Sequence, residues 1–141
     1  MLHIGNIDDI VSTAQSGDLS KIDLLISDIT SEEMPTLNPN VTASNFGKIS
    51  DLATKNDMAL GIMNLVFQTI GMLAVFATKA VGSKNVVLTG FLATVPQSEM
   101  LFRQLEEMFG ITFKTPDHAE FATAIGAALC NYKNYPLTEI K

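Results

Sequence analysis

A single cysteine, Cys130, leaves the chain without any intramolecular disulfide. It sits in an alanine-rich helical stretch with no charged activator beside it, so it reads as a buried small hydrophobe in a reducing compartment. Two widely separated histidines, His3 and His118, and that one cysteine provide no ligand spacing for zinc, and no metal site is expected. Basic residues are also scarce. Nine Lys and Arg against fifteen Asp and Glu set a formal net charge of −6. A nucleic-acid binder, or a protein that docks on anionic lipid, would need a basic patch, so both classes are excluded. No basic run precedes Asp8 and Asp9, and no signal peptide is predicted. Neither G-x-x-x-x-G-K-[ST] nor G-x-G-x-x-G occurs, so the chain has no phosphate loop of those types. Charged residues make up only 17% while 47% are hydrophobic, which excludes disorder. The 141 residues suffice for one domain with a real core.

What is present is ordered punctuation. Ile7, Ile10, Val11 and Ala14 recur at helical spacing over 7–16, and Gly17 stands where a left-handed glycine ends a helix. Residues 22–29 are apolar but too few to separate a strand from a helical turn. A loop with Pro35 and Pro39 follows over 30–41. Thr42 or Ser44 is a plausible cap for a short helix. The longest helix spans 57–81. It is apolar enough to cross a membrane, yet Asp57, Gly61, Asn64, Gln68 and Gly71 fall on one seam. Such a seam belongs to a buried soluble helix packed tightly or facing a cleft, or to a transmembrane dimer contact.

The last third is clearest. Residues 85–89, with Val86-Val87-Leu88 at the centre, form a short buried strand stopped by Gly90. Pro96 opens a helix whose apolar positions are Met100, Leu101, Leu105 and Met108, and Gly110 closes it. Residues 111–114 form a second strand. Asp117 caps a final helix over 118–132. This β-α-β-α run implies parallel strands and α/β architecture. A parallel sheet of at most three strands is unusually small. Either another chain completes it or the sequence belongs to a longer one.

Ligands of open α/β sheets bind beyond the carboxyl ends of strands, here at Thr89-Gly90-Phe91. Gly90 would let a ligand approach the backbone closely, or would simply allow a positive φ. The adjacent pairs Glu32-Glu33 and Glu106-Glu107 point apart on a helix and read as solvated faces. His118 reads as a capping or surface residue, and His3 is uninformative.

Several segments, in order and at compatible spacing, resemble bacterial type II pantothenate kinases. They are Ala14-Gln15-Ser16-Gly17-Asp18, Ile22-Asp23-Leu24, Asp28-Ile29, Thr42-Ala43-Ser44-Asn45-Phe46-Gly47, Thr69-Ile70-Gly71-Met72, Val86-Val87-Leu88-Thr89-Gly90 and Phe121-Ala122-Thr123-Ala124-Ile125-Gly126-Ala127. The resemblance implies the actin-like ATPase (ribonuclease H-like) fold, in which ATP lies between two related α/β domains. Residues 1–141 would then be a single domain, the C-terminal half of that kinase, with the phosphate loop and base glutamate in the absent N-terminal half. The whole enzyme would use ATP and Mg²⁺ to phosphorylate the hydroxyl of pantothenate, the first step toward coenzyme A. Carried over by residue, Gly90 matches a family glycine, and the next position contacts nucleotide. That position is usually small or polar in the family, and Phe91 departs from it. Gln68 stands where relatives often carry an acid, on a seam near the family's dimer contact. The resemblance thus implies a cytoplasmic homodimer. It implies cofactor-side residues Thr89, Gly90 and Phe91, and no catalytic residue here. A non-catalytic dimerisation fragment remains the alternative.

Overall fold

A computed structural model of the chain describes residues 5–31 and 38–131. His3, Glu32, Glu33, Pro35 and the expected end of the last helix at 132 lie outside the described residues.

Helix α1 (Ile7–Ala14) starts on Asn6, whose side-chain oxygen accepts the Asp9 N–H. A 3₁₀ turn at Leu19–Lys21 follows. The ambiguous segment after it is both things at once: strand β1 (Leu24–Leu25) and the single turn α2 (Ile26–Ile29). Residues Thr42–Ser44 do not cap a helix. They form strand β2, antiparallel to β1, with Thr42 opposite Leu25. The Thr42 hydroxyl is taken by the side chains of Asp23 and Asn64 and is not free to cap a helix.

Helix α3 (Lys55–Val81) is the axis of the fold. It begins two residues before the expected start because Thr54 and Asp57 form a capping box. By length and composition it could cross a membrane. Its small and polar seam is nevertheless used within the chain. Gly61 and Gly71 are buried, and so are Asp57 and Asn64. A Cβ at Gly61 would sit 2.8 Å from Ile22 Cγ2, and one at Gly71 2.1 Å from Leu105 Cδ1. The seam is where neighbouring elements approach the helix axis. Its opposite face carries the exposed apolar residues Leu73 and Phe76.

Strand β3 (Asn85–Val87), helix α4 (Pro96–Phe109) and strand β4 (Thr112–Lys114) follow as read from the sequence. β3 and β4 pair in parallel, Val86 opposite Phe113. A 3₁₀ turn at Ala119–Phe121 and helix α5 (Ala122–Asn131) complete the described chain. His118 and Asp117 do not open a helix directly. The Pro116 carbonyl accepts the Ala119 N–H, which closes a turn with His118 at its left-handed corner. Among the described residues the strands form two separate two-stranded sheets, one antiparallel and one parallel, in place of one small parallel sheet. Nor is β3 fully buried: Val87 is 63% exposed while Val86 and Leu88 are partly covered. Phe113 is likewise partly covered, between the exposed Thr112 and Lys114. One face of this parallel pair is packed and the other open. Cys130 is exposed too, because α5 presents most of its side chains outward.

The core lies where α1 and α4 pack on α3. It comprises Ala14, Ala59, Met63, Phe67, Val95, Leu101, Phe102 and Leu105. Phe67 meets Phe102 edge-on at 6.0 Å, and Phe102 lies 4.7 Å from Phe113, which joins the sheet to the helices. Met100 and Met108, expected on the apolar face, are exposed, and Phe102 takes the inward position.

Asp57 ties α1 to α3. Its carboxylate accepts the Asp18 N–H at 2.8 Å, the Thr54 N–H at 2.8 Å and the Thr54 hydroxyl at 2.7 Å, with Lys21 Nζ at 3.9 Å. The Thr54 N–H and hydroxyl, helped by Asp18 and Lys21, outweigh desolvation and hold its pKa below the ordinary 3.8. Gly17 serves the same joint. It has no left-handed backbone; a Cβ there would lie 2.4 Å from the Asn56 carbonyl oxygen.

Two measurements follow. Gly17→Ala should destabilise the chain by roughly 2 kcal/mol or more, because backbone cannot move aside. Gly126→Ala, in α5 with nothing within 4 Å of the new methyl, should gain up to about 1 kcal/mol from helix propensity. A Gly17→Ala denaturant midpoint that does not fall would refute the close approach at Gly17. Because the folded pKa of Asp57 is depressed, its contribution is present above pH 3.8 and is lost as pH falls through the folded value. The stability gap between the parent chain and Asp57→Asn should therefore narrow on acidification below pH 3.8. A gap that stays constant in acid denaturation curves would rule this out.

Candidate functional site

The turn singled out by the sequence stands at the carboxyl end of β3. Thr89 and Phe91 are exposed and Gly90 is partly covered. Gly90 adopts φ 91° and ψ 164°, a region open essentially to glycine alone. The positive φ that the sequence allowed for is there, and a Cβ would meet nothing within 4 Å. The Gly90 N–H is held by the Ala119 carbonyl at 2.8 Å, which docks the turn on the 3₁₀ segment preceding α5. Phe91 then opens the 3₁₀ turn Phe91–Thr94, and Thr94 closes it by donating its hydroxyl to the Phe91 carbonyl. Beside the turn, a recess of about 520 Å³ is lined by Leu88 and Thr115, which continue β3 and β4, and by Pro96, Phe102, Arg103 and Glu106 of α4.

A second constellation centres on Asp23, which sequence analysis quoted without giving it a role. Asp23 has 0% exposure. One carboxyl oxygen accepts the Phe46 N–H at 2.8 Å; the other accepts Asn64 Nδ2 at 2.7 Å and the Thr42 hydroxyl at 3.1 Å. Asn64 Nδ2 also reaches the Thr42 oxygen at 3.1 Å. One helical turn further on, Gln68 Oε1 accepts Asn45 Nδ2 at 2.8 Å. The Thr42-to-Gly47 string is thereby fastened along the polar seam of α3. Phe46, with φ 57°, turns its N–H inward to Asp23. Asn64 and Gln68 thus belong to this network; they do not reach the Thr89–Phe91 turn. The signal available in sequence was the seam itself, which demanded buried partners.

Around this network, Lys48 pairs with Asp28, whose pKa is lowered chiefly by the Lys48 hydrogen bond and then by the Leu25 N–H. Glu106 departs from the solvated-face reading. Its carboxyl accepts the Phe113 N–H at 2.6 Å and clamps β4 to α4, while Glu107 is exposed. His118 is exposed. Among the described residues no three of His, Cys, Asp and Glu converge as a metal centre would require.

The network makes a direct prediction. Asp23→Asn replaces an acceptor with a donor that must face either Phe46 N–H or the Asn64 and Thr42 donors. The expected cost is about 2–3 kcal/mol. Asn64→Leu should cost about as much, and the double variant less than the sum, because the two share a bond. Additive losses in denaturant unfolding would show that the pair does not act as a unit.

Comparison with known proteins agrees with the collinear segments. The Fumble family profile matches residues 1–129. The type II pantothenate kinase of Oceanobacillus iheyensis is 28% identical over 123 residues, 85% of this chain and 47% of that relative. The chain thus spans about half the length of the curated relative it matches. With a family match over nearly its whole length, this chain belongs to the Fumble family and is related to type II pantothenate kinases.

Proposed function

We propose that this chain supplies the nucleotide-side half of a pantothenate kinase of actin-like ATPase fold, and that it does not phosphorylate pantothenate by itself. The observation that carries the reading is Gly90. It sits at the carboxyl end of a parallel strand, in a conformation reserved for glycine, with open space before it. The Phe91 N–H, first in its 3₁₀ turn, has no partner within that turn by geometry, and the ring is exposed. Thr89, Gly90 and Phe91 would together form the nucleotide side. The name of the Oceanobacillus relative supplies the reaction class.

In the complete enzyme ATP donates its γ-phosphoryl group to the pantothenate hydroxyl, and a carboxylate takes the hydroxyl proton. Mg²⁺ would screen the phosphates. Among the described residues the two buried carboxyl groups, Asp23 and Asp57, are each engaged by three hydrogen-bond donors, so neither is free to act as that base. The open face of β3 and β4 is where a completing segment would lie, since parallel sheets are covered on both sides. A cytoplasmic setting fits the reduced cysteine and the acidic surface.

A second reading has its own observation. Leu65, Val66, Ile70, Leu73 and Phe76 form an exposed apolar stripe along α3. Such a stripe favours self-association, and a dimerising module without nucleotide would need nothing more.

Calorimetric titration with ATP·Mg²⁺, beside a thermal scan, separates the two. Ligand at a hundred times its dissociation constant should add about 2.7 kcal/mol of stability, and Gly90→Val should abolish the effect. Silence at millimolar ATP would favour the structural module. Turnover of pantothenate by the purified chain would overturn the claim that it is inactive alone.

A further inference from the structure

The Asn64 amide has a nitrogen end that is fully used and an oxygen end that is not. Its Nδ2 donates to Asp23 Oδ2 at 2.7 Å and to the Thr42 hydroxyl oxygen at 3.1 Å. Asp23 accepts from three donors, so its oxygens act only as acceptors and the nitrogen end of the amide must face them. The orientation of Asn64 is thereby fixed, with Oδ1 turned away from Asp23. That oxygen meets no donor among the described residues, yet it keeps accessible surface; the unpaired side-chain oxygens that are sealed off belong to Asn45 and Gln97.

The surface that Asn64 keeps opens into a cleft. The residue is only 7% exposed, and it lines a space of about 320 Å³ between the β1–β2 pair and α4. Leu60, Asn64 and Phe67 follow one another on one face of α3, and all three line this space. Leu25 of β1 and Leu101 of α4 line it as well. The amide therefore stands between apolar side chains. None of Thr89, Gly90 or Phe91 borders the cleft, so it is separate from the nucleotide side proposed above.

Two physical effects favour a ligand at this oxygen. An amide that donates into a chain of hydrogen bonds is polarised by it, which strengthens its oxygen as an acceptor. The acceptor is also held in place before anything binds, so little ordering is needed on binding.

We infer that this cleft binds a small molecule with a compact apolar body and one N–H or O–H group, which donates to Asn64 Oδ1 while the body rests on Leu60, Phe67 and Leu101. The inference does not depend on the kinase reading.

Indole and benzofuran test it. They have nearly one shape and differ at one ring position, an N–H against an oxygen. Benzofuran is the more hydrophobic, so a preference for indole reports the donated hydrogen and not apolar burial. Each is titrated into the full chain and followed by heteronuclear NMR at the Asn64 side-chain amide and the Phe67 ring. Indole should shift both signals saturably and bind about fivefold or more tightly than benzofuran. Asn64→Leu should remove the preference. Gln104→Ala, on the α4 side of the cleft and outside the Asp23 network, should keep it, and this variant serves even where the Asn64 variant does not fold. Equal affinity of the parent chain for the two probes would overturn the proposal. So would the absence of saturable shifts at Asn64, which would mean that the cleft holds only water. Loss of the preference in Gln104→Ala would assign the acceptor to α4 and overturn it too.

Discussion

The seating of the β1–β2 pair on the long helix depends on the burial of one carboxyl group. Asp23 is removed from water completely, and no described cation lies against it to compensate. Burying such a group is costly unless hydrogen bonds replace its hydration. The replacements come from three separate places: the backbone at Phe46, the hydroxyl of Thr42 and the amide of Asn64 on α3. Satisfying Asp23 therefore fixes the β1–β2 pair, the turn behind it and their seating on the long helix. Asp57 does the same at the start of α3 for the segment after α1. Both acids face inward on the side of α3 where small residues admit close neighbours.

This arrangement explains why a helix with the length and apolarity of a membrane span is built into a compact unit. Gly61 and Gly71 admit Ile22 and Leu105 to its axis, and the polar positions between them hold hydrogen bonds to the chain itself. The apolar surplus remains on the other face, in the stripe ending at Phe76. The uncovered side of β3 and β4 is mixed, with Val87 exposed beside Asn85, Thr112 and Lys114.

Elements with strong punctuation were legible in the sequence. Pro96 and Gly110 bracket α4, and the β-α-β order implied the parallel pairing of β3 with β4. The seam on α3 announced buried partners. The identity of those partners was not legible, because Asp23 and Phe46 lie 41 and 18 residues from Asn64 in sequence and no local period relates them. Thr42–Ser44 was misread for the same reason: a threonine that would cap a helix locally is claimed by a distant acid. Short elements failed where tertiary contacts decide, as with Gly17, whose absent side chain answers to Asn56 and not to helix termination. At the candidate site the sequence placed Gly90 at the end of β3 but could not say whether its backbone needs a positive φ, and the structure gives it one.

The measurement closest to the centre of this account is native-state hydrogen exchange at the Phe46 amide, which donates to Asp23. If the buried carboxyl group governs the fold, that amide exchanges only through global unfolding. It should then show the same denaturant dependence as the amides of α3 around Asn64. Exchange of Phe46 through a local, denaturant-independent opening, while α3 stays protected, would contradict it: the Asp23 network would then be an ornament on a helical core that stands without it.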